Sequence, residues 1–307
     1  MEGNLGQVVL GGLANVVLVL LAAPFFQGVT RRVTARIQSR QGPPLMQPYY
    51  DLLKLLGKED IESGEAPVMQ RFSTYLLLAS VLAVACLVPL GLSVPMGFTG
   101  DAILLVYLLT LSGICTLLAG AAAGSTFSLV GTSREMMTMI ALDPIFGVAI
   151  VIGAVNTKSL RLETVLDGSI WASAMPVSGI IMLVVMLLAF QAFVGRVPFD
   201  ISEAETEIME GPMIEYSGRK LAMFKYAQMV KLVIYSALFV ALFVPWGSGL
   251  PLPMAFVLFW AKVAVLVLLA TVLSATHARY RIDQAVRYYA AFLAVSLVAV
   301  VLASYGH

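Results

Sequence analysis

The stretch AILLVYLLTLSGICTLLAGAAA, Ala102 to Ala123, contains no charged side chain. Because a helix rises about 1.5 Å per residue, roughly 20 apolar residues cross the hydrocarbon core of a bilayer, and this run predicts a transmembrane helix. The rest of the chain has the same character. Of its 307 residues, 60% are hydrophobic and only 12% are charged, and the mean hydropathy is +0.91. This composition excludes a soluble protein with a polar shell.

Apolar runs of similar length recur along the whole sequence. They predict an all-α integral membrane protein with about eight transmembrane helices, forming a single membrane domain over residues 1–307. The predicted spans are 5–27, 72–95, 102–123, 135–155, 176–195, 226–247, 252–276 and 288–305.

The loops between these spans differ in their Lys and Arg content. Loops 28–71, 124–134, 196–225 and 277–287 carry most of the 19 basic residues, whereas the loops on the opposite side carry only Lys158 and Arg161. Basic loops are retained on the cytoplasmic side during insertion. The asymmetry therefore predicts a multi-pass protein of the inner (cytoplasmic) membrane with both termini outside. The net charge of +1 hides this sidedness and gives no reason to expect a nucleic-acid partner.

The first cytoplasmic loop predicts an amphipathic interfacial helix. Gly42, Pro43 and Pro44 interrupt the chain, and apolar residues then recur with helical spacing while charged residues occupy other faces. On periodicity alone, such a helix resting on the lipid headgroups is the simpler interpretation. The apolar positions are Tyr49, Leu52, Leu53 and Leu56, and the charged ones are Asp51 and Lys54.

The loop before the sixth span, GRVPFDISEAETEIMEGPMIEYSG (Gly195–Gly218), holds six carboxylates and one base, Arg196. Pro198 and a capping box of Asp200 and Glu203 predict that a helix begins here. On such a helix four of the acids would share one face and repel one another, so some of them would hold protons near neutral pH. These four are Asp200, Glu203, Glu207 and Glu210. The alternative is a solvated acidic face with ordinary pKa values. The six acids are Asp200, Glu203, Glu205, Glu207, Glu210 and Glu215.

Three charged residues fall within predicted spans, where a charge costs about 2.5–3.5 kcal/mol or more unless it is partnered. Asp143 follows Arg134 by nine residues and precedes Pro144, which can kink the helix and admit water. Lys231 and Lys262 lie in the sixth and seventh spans. For the two lysines the alternative to a functional role is a structural one, in which the side chain reaches the membrane surface or pairs with a neighbouring group.

Cysteine and histidine usage offers no pattern for a metal site. Cys86 and Cys115 are isolated in apolar spans, and His277 and His307 stand alone. We therefore expect this chain to bind no metal and to hold no redox cofactor of its own.

Four segments together resemble the membrane subunit that complex I (mitochondrial subunit 1 and its bacterial counterpart) shares with energy-converting membrane-bound hydrogenases, especially formate hydrogenlyase subunit 4. They are GPPLMQPYYDLLKLLGKED, SREMMTMIALDP, RVPFDISEAETEIMEGPMIEYSG and RYRIDQ. The resemblance implies eight principal spans and a cytoplasmic face that docks a peripheral arm. Partner subunits would hold iron–sulfur clusters and a [NiFe] centre. The implied partners are the hydrogenase large and small subunits, an iron–sulfur subunit and antiporter-like membrane subunits.

The resemblance also assigns roles to residues. It implies an acidic funnel that links redox chemistry to ion movement, formed by Asp143, Glu135, Asp200, Glu203, Glu205, Glu207, Glu210 and Glu215. It implies a docking face formed by Arg134, Arg196, Asp51, Lys54, Arg279, Arg281 and Asp283. Lys231 and Lys262 are the intramembrane bases.

The sequence departs from the quinone-reducing branch in two places. Only Pro44, Leu45 and Met46 separate the GP and QP of the first loop, and Phe193 and Gln228 stand where the complex I pattern has acids. The shortened loop and the segment EGPMIEYSG favour a non-catalytic anchoring and ion-coupling subunit of a hydrogenase complex. The alternatives are the quinone-site membrane subunit of a complex I-like oxidoreductase and a stand-alone ion transporter. A transporter would be expected to show internal repeats with broken helices, which the sequence lacks.

Overall fold

The computed structural model describes residues 5–61, 66–91, 101–171, 176–247 and 250–306, and these residues form helices and no strand. Two short 3₁₀ turns, Ser169–Trp171 and Gly211–Met213, complete the regular structure. The helices are α1 (Leu5–Ile37), α2 (Gln47–Leu56), α3 (Pro67–Leu87), α4 (Ala102–Ala122), α5 (Thr126–Thr157), α6 (Leu162–Val165), α7 (Val177–Phe193), α8 (Glu205–Ile208), α9 (Gly218–Phe243), α10 (Leu252–Thr276) and α11 (Ile282–Ser304).

Seven of the described helices are long and apolar enough to cross a membrane. The run predicted as the fifth span forms α7, which is apolar but has only 17 residues. The all-α membrane fold is therefore confirmed, while the count of eight spans and the outward position of both termini stay predictions.

Several helices extend beyond the predicted spans. Helix α1 continues to Ile37, α5 begins at Thr126 and α9 begins at Gly218. Most of the predicted cytoplasmic loop 124–134 is therefore helical, and Arg134 and Glu135 lie on α5, while the division into spans and loops stays a prediction. Hydropathy marks only the apolar part of a helix, because its polar end remains hydrogen-bonded along the backbone after it leaves the lipid.

Helix α9 is the central element of the bundle. In the most apolar 18-residue stretch of α9, 78% of the residues are buried, compared with 22% in the corresponding stretch of α11. It packs against α1, α2, α3 and α10. Polar residues within the apolar part of α9 are therefore mostly enclosed by protein, whereas Arg219 at its N-terminal end is exposed.

The predicted amphipathic helix is confirmed as α2, and it packs against α1 and α9 rather than resting on headgroups alone. Leu52 is buried, whereas Leu53 is 66% exposed. Arg31 Nη1 and Asp51 Oδ2 form an ion pair at 2.6 Å, and the Tyr49 hydroxyl donates to the Leu21 carbonyl oxygen. These contacts fix α2 to the first span.

The helix predicted to begin at Asp200 does not form. Residues 195–204 are turns and irregular backbone, including a cis Val197–Pro198 bond, and α8 contributes only one turn. Gly211, at φ +54°, packs against the Ser202 carbonyl oxygen, and a Cβ on Gly131 of α5 would lie 2.8 Å from the Gly211 Cα. Local capping and periodicity are weak preferences, so this close packing against α5 overrides them.

Gly211→Ala should disrupt this loop strongly. The new Cβ would clash with the Ser202 carbonyl oxygen and also hold a strained positive φ. Gly195→Ala is the matched control, because Gly195 has φ +64° but open space around its Cβ position. We expect thermal unfolding in detergent to show a loss of about 1 kcal/mol for the control and about 3 kcal/mol or more for Gly211→Ala. Equal losses would contradict the packing argument.

Candidate functional site

A cavity of about 440 Å³ lies between α5, α7, α9 and the loop 195–217. It is large enough to hold several water molecules. The charged residues that line it are Arg31, Glu135, Asp143, Arg196, Asp200, Glu203, Glu210, Lys225 and Lys231. The cavity therefore connects part of the acidic loop with two of the three predicted intramembrane charges, Asp143 and Lys231.

Glu203 is a loop acid whose pKa is strongly shifted by its surroundings. Gln228 Nε2 donates a hydrogen bond to Glu203 Oε1. Burial, and secondarily the negative charges of Asp200 and Glu135, raise the pKa of Glu203 to about 8. At neutral pH this carboxyl group is therefore largely protonated. The expectation that some acids hold protons is supported for Glu203, but the cause is burial and not a shared helix face.

Lys231 of α9 and Asp143 of α5 border the same cavity. The Lys231 ammonium interacts electrostatically with Glu135, Glu203 and Asp143. Pro144 lies inside α5 next to Asp143, as the sequence indicated. The structure thus groups one intramembrane base with one intramembrane acid and one loop acid.

Three other loop acids are paired separately with basic side chains, so the predicted row of like charges on one helix face is wrong. Asp200 Oδ2 accepts from Arg279 Nη2 at 2.8 Å, and Glu207 Oε2 accepts from Arg134 Nη1 at 2.6 Å. Glu210 Oε1 lies 3.7 Å from Lys225 Nζ. Glu215 is exposed and does not line the cavity, and the side chain of Glu205 lies outside the described part of the structure.

Four of the predicted docking residues have partners within the chain, namely Asp51, Arg134, Arg196 and Arg279. Besides pairing with Asp200, Arg279 donates to Thr206 Oγ1 at 3.0 Å, and Arg134 contacts the Ile201 carbonyl oxygen at 3.4 Å. Arg196 donates to Gln27 Oε1 at 2.6 Å, and burial lowers the pKa of Arg196 to about 10, so it stays protonated. Lys54, Arg281 and Asp283 are exposed on the surface, as docking requires. Docking to partners stays a prediction for the whole set, including Asp51, which pairs with Arg31.

The structure separates Lys262 from the cavity. Its ammonium group donates to the Val244 carbonyl oxygen at 2.8 Å and to that of Trp246. Lys262 thus satisfies backbone groups just beyond the end of α9, which is the structural alternative that the sequence left open.

The sequence analysis missed Tyr235 and Gln27, both of which line the cavity. Tyr235 stands four residues after Lys231 and seven after Gln228, so helical spacing on α9 was a usable signal. Gln27 reaches the cavity from α1 by tertiary packing, and no local pattern indicates it.

Within the described ranges, no group of three or more His, Cys, Asp and Glu side chains has a geometry suited to a metal ion. The assignment of metal centres to partner subunits stays a prediction.

Residues 11–304 match the NADH dehydrogenase family. The chain belongs to this family. It is 34% identical to hydrogenase-4 component C of Escherichia coli (strain K12) over 282 residues, covering 90% of each chain. It is 30% identical to formate hydrogenlyase subunit 4 of the same organism over 283 residues, covering 90% of this chain and 92% of that one. These matches confirm the resemblance carried by the four sequence segments.

The fold is also found in a solved structure. A chain of the membrane-bound sulfane sulfur reductase, an archaeal respiratory membrane complex, superimposes with a TM-score of 0.86 at 26% identity. The match covers 97% of this chain and 99% of that chain. The family fold therefore extends over nearly the whole protein.

Glu203→Gln should change how stability depends on pH. In the folded state Glu203 releases its proton near pH 8, whereas an unfolded Glu does so near pH 4.3. Between these values the folded state binds the extra proton, so rising pH destabilises the wild type. Melting curves from about pH 5 to 8 should show a smaller pH-dependent loss for Glu203→Gln. Glu215→Gln, at an exposed acid of the same loop, should follow the wild type, and an unchanged slope for Glu203→Gln would contradict the assignment.

The Asp200–Arg279 pair should behave as an internal contact. Both side chains are mostly buried, at 18% and 21% exposure, so Arg279→Asp leaves two acids facing each other and should cost about 3 kcal/mol or more. The double variant Asp200→Arg/Arg279→Asp should recover part of this loss in thermal unfolding of the isolated subunit. If the double variant recovers no stability, the Asp200–Arg279 ion pair does not stabilise the subunit and the prediction is wrong.

Proposed function

We propose that this chain is the non-catalytic anchoring and ion-coupling membrane subunit of a hydrogenase-like complex. Its similarity to hydrogenase-4 component C and formate hydrogenlyase subunit 4 supports this class of complex. The observation that carries the coupling role is the shared cavity, which brings Glu203, Lys231 and Asp143 together.

The cavity offers a physical route for coupling. A change of protonation or of nearby charge at Glu203 alters the electrostatic potential at Lys231, and Lys231 in turn interacts with Asp143. Such interactions are stronger in a protein interior than in water because the effective dielectric constant is lower. The loop thus senses charge on the cytoplasmic side, and Asp143 passes the effect into the spans.

The proposed complex needs redox partners. Hydrogenase large and small subunits and an iron–sulfur subunit would supply electron transfer through their [NiFe] centre and iron–sulfur clusters, and antiporter-like subunits would lie beside this chain in the membrane. Exposed Lys54, Arg281 and Asp283 provide charged contact points on the face predicted to be cytoplasmic.

A quinone-site subunit is the second candidate function. Aromatic side chains of Phe193, Phe199, Phe224 and Tyr235 line the cavity beside Gln228. Flat aromatic surfaces and a polar amide suit a quinone ring. A photoreactive quinone analogue that labels cavity residues would favour this function over a purely ion-coupling role.

Asp143→Asn should uncouple the complex without stopping its redox chemistry. Hydrogen turnover with artificial electron donors should stay near wild type, because the metal centres are assigned to other subunits. Ion pumping by sealed vesicles should fall by about 10²-fold, the effect of losing a positioned proton-transfer group. Asp167→Asn, at an exposed residue outside the cavity, is the matched control and should pump normally. A normal gradient in Asp143→Asn vesicles would refute the coupling role.

A further inference from the structure

A second cavity, of about 340 Å³, lies where α3 and α9 begin. It is lined by Lys58, Glu59, Asp60, Arg71, Tyr75 and Arg219. Residues 59–61 are held against the start of α9. The Ile61 N–H donates to Ser217 Oγ at 2.9 Å, and a Cβ on Gly218 would lie 2.6 Å from the Glu59 carbonyl oxygen. The cavity is therefore a fixed feature of the fold.

Among the described residues that line this cavity, positive charges outnumber negative ones. Lys58, Arg71 and Arg219 contribute three cations, and Glu59 and Asp60 contribute two carboxylates. The Asp60 carboxylate also lies 3.6 Å from the buried ammonium of Lys220, which offsets its charge. The N-terminal ends of α3 and α9 add partial positive charge from their first N–H groups. This electrostatic environment favours a phosphate anion.

An apolar stripe on α3 continues from the cavity along the bundle surface. Val68, Phe72 and Tyr75 are 79%, 55% and 51% exposed and recur at i, i+4 and i+7. They share one face of the helix, and Tyr75 also lines the cavity. A free phosphate ion would make no contact with this apolar stripe, whereas the acyl chains of a phospholipid would cover it.

We propose that this cavity binds the phosphate of an anionic phospholipid, with the acyl chains lying along the Val68–Phe72–Tyr75 stripe. Asp60 Oδ1 is buried and accepts no hydrogen bond from the part of the chain that is described. It is placed to accept one from a headgroup hydroxyl, which suits phosphatidylglycerol. This lipid site is separate from the ion-coupling cavity and does not depend on the proposed function.

The test uses the intact complex reconstituted in phosphatidylcholine nanodiscs. Traces of phosphatidylglycerol or phosphatidylcholine that carry a photoreactive group near the glycerol are crosslinked, and labelled peptides are identified by mass spectrometry. The wild type should be labelled at Phe72 and Tyr75 more by phosphatidylglycerol than by phosphatidylcholine. Lys58→Gln/Arg219→Gln should reduce this preference by about fivefold or more, since each cation near a membrane surface strengthens binding of an anionic lipid.

Two control variants distinguish an effect of lost positive charge in the cavity from an effect of misfolding. Arg32→Gln/Arg36→Gln removes two exposed cations from the C-terminal part of α1, outside the cavity, and should keep the preference. Lys58→Arg/Arg219→Lys keeps the charge and should also retain it. An unchanged preference in Lys58→Gln/Arg219→Gln, or equal labelling by both lipids in the wild type, would overturn the proposal. Loss of the labelling in millimolar inorganic phosphate would identify a free-phosphate site and also overturn it.

Discussion

The candidate site depends on one close backbone contact, between Gly211 of the acidic loop and Gly131 of α5. Neither position has room for a Cβ, and Gly211 also packs directly on the Ser202 carbonyl oxygen. The contact turns the loop back beneath the helices and makes it one wall of the cavity. Since a regular helix there would point its carboxylates along one face, this packing decides which acids enter the protein and which stay outside.

The carboxyl groups of the folded loop lie in different environments. Glu203 lies beside Gln228 and keeps its proton at neutral pH, whereas Asp200 and Glu207 form ion pairs with Arg279 and Arg134. The mostly buried Asp200–Arg279 pair holds the loop against the start of α11, because a buried charge is tolerated when an opposite charge faces it. Glu207, whose side chain is 50% exposed, adds a contact between the loop and α5. The neutral carboxyl is left as the group whose charge can change. Structural support and charge sensing are thus divided among neighbouring acids.

The central position of α9 connects these local effects to the bundle. This helix presents Gln228, Lys231 and Tyr235 to the cavity over two turns, and its surroundings are mostly protein rather than lipid. Its N-terminal end borders the second, basic cavity at Arg219. One helix therefore contributes to both the proposed coupling site and the proposed lipid site.

The sequence by itself determined the helical membrane fold, the amphipathic α2 and the family, because hydropathy and motif order are local properties of the chain. It also indicated Asp143 and Lys231, since charges inside apolar runs are conspicuous. Only the tertiary structure decided that no helix begins at Asp200 and that Arg279 pairs with Asp200 of the same chain. It also decided that Lys262 donates hydrogen bonds to backbone carbonyl oxygens. Each depends on contacts between residues far apart in sequence, and such contacts override local capping and periodicity.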